Sequence, residues 1–286
     1  SRKTIVIGHS HSTRCEVLWQ HRLFRPFTGL FIDFRFACSA HAGAWIWGRK
    51  PVQVISNAID TAAFRYTPTR RAALRAQYGI PSDAIVFGAV GRLEEAKNPL
   101  FTLRCLAEIS KRVSESALVL IGDGPLRKDC ETYIHDNALK DAYLLGTRDD
   151  VPDWMQAIDI LLLPSLYEGL GIVSVEAQAA GCRVYISDRV PSLNLPGRVV
   201  QLPLELGAAG WAQRIAADIR DSGPDFENRM EANQKVISGG YDIRREAEKL
   251  ERFYRYILIA QHNNGALSKT QKSEALACLR SNDCRT

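Results

Sequence analysis

From about residue 57 to 240, short apolar runs alternate with longer stretches whose apolar residues recur every three or four positions. That is the pattern of β-strands joined by crossover helices in a parallel sheet. The runs at 85–90, 117–121, 142–145, 158–163, 183–187 and 198–202 are mostly apolar enough to be buried on both faces of such a sheet. Between the first two, Asn98 is placed to cap a helix, Pro99 stands in its first turn, and Leu103, Leu106, Ile109 and Val113 mark its buried stripe. Similar helices are expected near 125–138 and 173–180. Ahead of this region, residues 1–56 hold only two strand patterns, 4–8 and 33–38, and helical stretches near 16–23 and 40–47. Alone, that is too little for an independent domain. After Gly240 an amphipathic helix over 243–259 precedes a polar tail expected to be mobile.

The chain has 286 residues, 46% of them hydrophobic, which supports about two domains with sizeable cores and excludes disordered and fibrous classes. Lys and Arg number 37 against 32 Asp and Glu, so the net charge of +5 is spread thinly and does not point to nucleic acid. The seven cysteines, at 15, 38, 105, 130, 182, 278 and 284, are odd in number and contain no CxxC pair. Neither a disulfide framework nor a zinc knuckle is suggested, and a reducing cytoplasm is the simplest setting. No apolar run reaches the roughly 18 residues that span a bilayer. The strand pattern at Thr4 begins with no lead-in, as if a domain were entered midway.

The strongest chemical signal is the run Pro164-Ser165-Leu166-Tyr167-Glu168-Gly169-Leu170-Gly171, which follows the most apolar strand and leads into a helix containing Glu176. Gly169 and Gly171 let the backbone turn tightly and approach a ligand, and the following helix directs free N–H groups at the same spot, which makes an anion site. Glu176 lies about five residues into that helix, roughly 7 Å from the anion at 1.5 Å per residue, close to the span from a diphosphate to a nucleotide ribose. Its carboxylate is placed to hold ribose hydroxyls. Taken alone, Glu176 is equally well a helix N-terminal carboxylate favoured by the macrodipole.

The second signal is Gly91-Arg92-Leu93-Glu94-Glu95-Ala96-Lys97-Asn98, directly after another strand. Arg92 and Lys97 converging on one loop can neutralise a diphosphate leaving group; in isolation they would read as a solvated basic pair. Gly122-Asp123-Gly124-Pro125 is a glycine turn between strand and helix, taken as a lining loop. His9 and His11 follow the end of the first strand pattern and, unframed, read as surface or core histidines. Trp19, Trp45, Trp47 and Trp154 lie in or beside helical stretches and are expected in the core.

These residues, in this order, resemble the donor-binding half of retaining glycosyltransferases of the GT-B fold, family 4, especially those that build bacterial exopolysaccharide and capsule. The resemblance covers nearly the whole chain. It includes His9-Ser10-His11-Ser12, Ala37-Cys38-Ser39, Asn57-Ala58-Ile59-Asp60 with Phe64, Gly91-Arg92-Leu93 with Lys97, Gly122-Asp123-Gly124-Pro125, Gly146-Thr147-Arg148, and the two glutamates at 168 and 176. It implies an α/β fold of GT-B type, with a complete Rossmann-like parallel-sheet donor domain at 57–240, a partial N-terminal Rossmann-like acceptor domain at 1–56, and a C-terminal helix with mobile tail at 241–286. It implies a nucleotide-sugar in the cleft, a UDP-sugar by preference, whose diphosphate meets Arg92, Lys97 and amides near Leu170 while Glu176 holds the ribose. Glu168 and the histidines His11 and His9 would face the sugar, and the base would rest on the backbone of Gly146, Thr147 and Arg148, with Gly122 lining the site. No metal and no other cofactor is required, and the sugar would pass with retention to a lipid-linked or polysaccharide acceptor.

The chain departs from the family in two places. Cys182 and Arg183 follow Gly181 where small residues and then proline are usual. More importantly, the strands that family members carry ahead of the His-x-His element are absent, so this chain is expected to bind donor and to transfer sugar poorly. A second chain supplying those strands would make it half of a split transferase, and a non-catalytic nucleotide-sugar-binding fragment is the other alternative. A nucleotide-sugar epimerase on the same fold would need acid/base residues from the missing half. The expected location is cytoplasmic, with contact to the inner face of the membrane left open.

Overall fold

The computed structural model describes residues 4–11, 18–191, 199–223 and 229–280. It divides into two compact units, one formed by Ser1–Asp60 with Gly240–Thr286, the other by Thr61–Gly239. The first unit opens with β1 (Ile7–Ser10), α1 (Leu18–Phe24), β2 (Phe34–Ala37), α2 (Ala40–Trp47) and β3 (Gln53–Val54), whose strands form a parallel sheet in the order β1-β2-β3. Ser39 caps α2 by accepting from the Ala42 amide at 3.1 Å. The first strand starts three residues later than its apolar pattern, because the Val6 amide is taken by the Asp33 carboxylate at 2.9 Å rather than by a neighbouring strand. His9 therefore lies inside β1 and only His11 follows it, a correction to the expected placement. The two-residue β3 was too short to register as a pattern. Trp47 and Trp154 are buried, but Trp19 is 64% exposed, beside the equally exposed Leu23, Phe24, Phe27, Leu30 and Phe31. Trp45 is half-buried and stacks on His21, ring centroids 4.3 Å apart.

The second unit runs through α3 (Pro68–Gln77), β4 (Ile85–Val90), a 3-10 turn (Glu95–Lys97), α4 (Pro99–Ile109), β5 (Ser116–Ile121), α5 (Arg127–Asp136), β6 (Ala142–Leu144) and α6 (Val151–Ala157). It continues with β7 (Ile160–Leu163), α7 (Ile172–Ala179), β8 (Arg183–Ser187), β9 (Val199–Leu202), α8 (Gly207–Ser222) and α9 (Arg229–Ser238). All six strands are parallel, in the order β6-β5-β4-β7-β8-β9. Phe87, Leu103, Leu106, Leu118, Leu120 and Trp211 fill one core against the sheet, with Trp211 edge-on to Phe101 at 5.3 Å. Strand order reverses at β4, which pairs with β5 on one side and β7 on the other, so the loops leaving β4 and β7 flank a crevice at the carboxyl edge.

Two details differ from the apolar pattern. Asp159, inside the run expected to be a strand, has a fully buried side chain. It meets Arg71 and Arg75 at 2.7 Å and Arg229 at 3.4 Å, so β7 starts only at Ile160. Asn98 stands at the N-cap position of α4 as expected, but its side chain makes no capping hydrogen bond; it sits at φ 55° and its side-chain amide donates to the Pro164 carbonyl at 3.2 Å, tying the loop after β4 to the loop after β7. Arg198, expected to begin the last strand, lies outside the described residues, as do Cys15 and Cys284.

The chain then returns to the first unit through α10 (Ile243–Asn264) and α11 (Lys269–Ala277). Phe253 and Ile257 of α10, with Ala275, Cys278 and Leu279, close over Phe34, Phe36 and Ile55 of the sheet side. The segment expected to be a mobile tail is thus helical over Lys269–Ala277. Its start is fixed by a capping box between Ser268 and Gln271, a polar pairing that an apolar-pattern reading passes over. The five described cysteines are buried. No described helix is long and apolar enough to cross a membrane.

Candidate functional site

The loops that follow β4, β5, β6 and β7 are interlocked by main-chain hydrogen bonds. Gly91 donates to Ile121 at 2.9 Å, Gly122 to Gly146 at 2.8 Å, Leu93 to Asp123 at 2.9 Å, and Leu166 to Ala96 at 2.8 Å. The closeness of these loops dictates glycine at position 122. An ideal Cβ there would stand 2.0 Å from the Gly91 carbonyl oxygen, and φ is +135°. A rigid, side-chain-free floor results, with Gly122, Gly124 and Gly146 at its centre.

Over that floor the loop after β4 supplies Arg92 and Lys97, and the loop after β7 supplies Glu168. Lys97 Nζ lies 2.5 Å from Glu168 Oε1, and Ser165 Oγ donates to the same oxygen at 2.8 Å. Ser165 is in turn held by Ser187 Oγ on β8, which donates to the Ser165 carbonyl at 2.5 Å. Arg92 is exposed and pairs with Glu94 at 3.3 Å. Both loop cations thus carry an acidic partner here, an arrangement their spacing alone did not reveal. Beneath them a hollow of about 20 Å³, walled by Val90, Leu120, Leu162 and Leu163, contains the Thr102 hydroxyl, which is buried with no hydrogen-bond partner.

The chain enters α7 through Gly171, held at φ +70°, and no side chain caps the first turn of that helix, so its leading amides point toward the Glu168 loop. Leu170 is buried beneath the turn. Glu176 stands five residues farther along, half-buried; desolvation is the sole cause that lifts its carboxyl above the ordinary value. A carboxylate held in that state is a strong acceptor lacking a donor.

On the β6 side, Gly146 turns at φ +67° and Thr147 is exposed, while Arg148 forms a two-pronged contact with Asp150 at 2.6 and 2.7 Å, which holds the Asp150 carboxyl below its usual range. The Arg148 side chain is therefore engaged, and its backbone is what this loop presents. The structure brings Arg92, Lys97, Glu168, Gly169, Leu170, Gly171, Glu176, Gly122, Gly146, Thr147 and Arg148 into one unit, Thr61–Gly239. His9 and His11 belong to the other unit, where their rings lie 4.1 Å apart. Partial desolvation, then the neighbouring His11, hold the His9 pKa below the ordinary histidine value. Among the described residues no cluster of three or more His, Cys, Asp or Glu is placed to hold a metal. Sequence reasoning missed Ser165, Thr102 and the Asn98 bridge; of these only Ser165, three residues before Glu168, carried a local spacing that could have flagged it.

The family described as "Glycosyl transferases group 1" matches residues 84–216, the stretch that carries all of these loops. Over 273 residues the chain is 33% identical to EpsF of Bacillus subtilis, named for glycosyltransferase activity; the match covers 90% of this chain and 70% of that one. Over 141 residues it is 33% identical to the UDP-Gal:alpha-D-GlcNAc-diphosphoundecaprenol alpha-1,3-galactosyltransferase of Escherichia coli, covering 48% of this chain and 36% of the relative. It spans about a third to a half of several other curated relatives it matches. The crystal structure of Anabaena HepE in complex with UDP and glucose superposes with a TM-score of 0.72 at 22% identity, covering 87% of this chain and 72% of that one, a likeness of fold.

Proposed function

The chain belongs to the group 1 glycosyltransferases and has their GT-B fold, and from that membership we propose that it is a retaining transferase of family 4. In this reading a UDP-sugar occupies the crevice between the loops after β4 and β7. The observation that carries the reading is Glu176, a half-buried carboxylate on α7 whose only pKa determinant is desolvation, set beyond an uncapped helix start and two loop cations. Ribose hydroxyls are the donors that such an acceptor lacks. The diphosphate is neutralised by Lys97, Arg92 and the leading amides of α7, with no metal or other cofactor. For Lys97 to meet phosphate it must share or release Glu168, which then turns toward the sugar, so donor binding and the placement of Glu168 are one event. The base lies against the main chain of Gly146, Thr147 and Arg148. The acceptor is lipid-linked or polysaccharide, a reading supported by the diphosphoundecaprenol in the name of the Escherichia coli relative and by the likeness to EpsF. His11 and His9 are assigned the sugar-facing role that the resemblance implies, and the location is cytoplasmic, at the inner face of the membrane when the acceptor is lipid-linked.

Calorimetry with UDP, GDP and ADP against the chain and Glu176→Ala tests the donor assignment. UDP is expected to bind most tightly, and loss of the charge-assisted hydrogen bonding to the ribose should weaken it roughly ten- to a hundredfold, about 1.5 to 3 kcal/mol. Equal UDP affinity in the two proteins would remove Glu176 from the site and with it the reading of the crevice. Anomeric configuration of the released product, followed by NMR with a lipid-diphosphate acceptor, decides retention.

A further inference from the structure

In the unit formed by Ser1–Asp60 and Gly240–Thr286, a cavity of about 180 Å³ opens between the amino-terminal ends of β2 and β3 and one face of α11. Its polar lining is Asp33, Arg35, Gln53, Lys272 and Arg280. Asp33 is well occupied: one oxygen accepts from the Val6 amide at 2.9 Å and the other pairs with Lys272 at 2.8 Å. Among the described residues Arg280 meets the neutral Gln53 amide oxygen, 3.2 Å from both its Nε and Nη2. Arg35 gives one N–H to the Gly29 carbonyl at 3.0 Å, while its Nε is buried with no hydrogen-bond partner. Lys50 adds a further cation beside Arg35, since a Cβ on Gly29 would stand 2.7 Å from Lys50 Nζ and 3.3 Å from Arg35 Nε.

Among the described residues three cations line this basin against one carboxylate, a surplus of two positive charges. Like charges gathered in a concave, partly desolvated place repel one another. An anion of two charges in the cavity removes that repulsion. We propose that this basin binds a phosphoryl group, as a phosphate monoester or diphosphate, carried by a soluble ligand or by a lipid headgroup. Guanidinium forks match the spacing of phosphate oxygens and lysine adds a point charge, whereas a single carboxylate ligand would leave one cation unpaired. Because the cations come from β2 and from α11, the bound group ties the helix to the sheet, and its binding raises thermal stability.

Calorimetric titration of the chain with inorganic pyrophosphate tests this, repeated on Arg280→Gln, Lys272→Gln and, in the other unit, Lys97→Ala. One binding step is expected to survive Lys97→Ala and to weaken at least tenfold in Arg280→Gln and Lys272→Gln, together with loss of the pyrophosphate-induced rise in melting temperature. Arg280 is exposed, so its substitution leaves the fold intact, which far-UV circular dichroism without anion checks. Sedimentation with vesicles of phosphatidic acid, a phosphate monoester, or of phosphatidylcholine separates the two sources. Capture by the anionic vesicles alone, lost in Arg280→Gln, assigns the group to a lipid, and a pyrophosphate step without capture assigns it to a soluble ligand. Absence of both, or binding that Arg280→Gln and Lys272→Gln leave unchanged, overturns the proposal.

Discussion

Lys97 Nζ stands 2.5 Å from Glu168 Oε1, so one ion pair bridges the loops that leave β4 and β7 on either side of the strand-order reversal. The pair is half-shielded from water, with the glutamate the less exposed partner. It orients the carboxylate in the crevice and gives Lys97 a counter-ion.

Removing the lysine should therefore weaken diphosphate binding without touching the nucleoside. Lys97→Ala is expected to lower UDP affinity about ten- to a hundredfold, corresponding to about 1.5 to 3 kcal/mol, and to flatten its dependence on salt. Uridine affinity should not change. Parallel calorimetry with UDP and uridine at two ionic strengths decides it; an equal loss for both ligands would place Lys97 elsewhere.

Glu176 makes a pH-dependent prediction. Burial raises its carboxyl pKa in the folded state, so the folded protein holds that proton to higher pH than the unfolded chain does. Stability from this group is full below the ordinary carboxyl value and declines as pH rises through the raised one. Glu176→Gln should then increase the melting temperature of the ligand-free protein at pH 7, change it little near pH 4, and still weaken UDP. Melting curves at both pH values, with and without UDP, separate these effects.

Gly122→Ala places a methyl group against the Gly91 carbonyl and forces an alanine to φ +135°. Backbone strain of this kind costs about 1 to 3 kcal/mol by itself, and the clash adds to it. Urea unfolding should show at least that loss, and UDP affinity should fall as the loop floor is displaced. A variant with unaltered stability would mean that the two loops part more readily than their hydrogen bonds indicate.

Asp159→Asn removes the carboxylate that faces the guanidinium groups of Arg71, Arg75 and Arg229 deep below β7. Breaking a buried ion pair from one side costs about 3 to 5 kcal/mol because charge is left uncompensated. Denaturant midpoints measure that loss.

How much of this was legible in the sequence depends on whether a signal was local. The runs at 85–90 and 183–187 became β4 and β8 over those residues, because strands buried on both faces read as unbroken apolar stretches. Gly171 and Glu176 were legible too, since a strand, a glycine turn and a helix in succession fix their relative placement. What failed was pairing across loops. Asn98 has the composition of a helix cap, yet it spends its amide on Pro164, 66 residues away, and Asp159 looks like a blemish in a strand until three distant arginines reach it. Trp19 carries the expectation of burial that any tryptophan does, but neighbours decide burial, and here they leave it exposed.

The division of the chain into a contiguous unit, Thr61–Gly239, and one assembled from two separated segments has a consequence for synthesis. The ribosome delivers every strand and core helix of the contiguous unit before residue 240 appears, so that unit can complete itself while translation continues. The other cannot. Phe34 and Phe36 must wait for Phe253, and Asp33 for Lys272, 239 positions downstream. At about 5 to 20 residues per second that is on the order of ten seconds or more with an uncovered β-sheet face, a window in which a chaperone, or premature self-association, acts on residues 4–60 and leaves 61–239 alone.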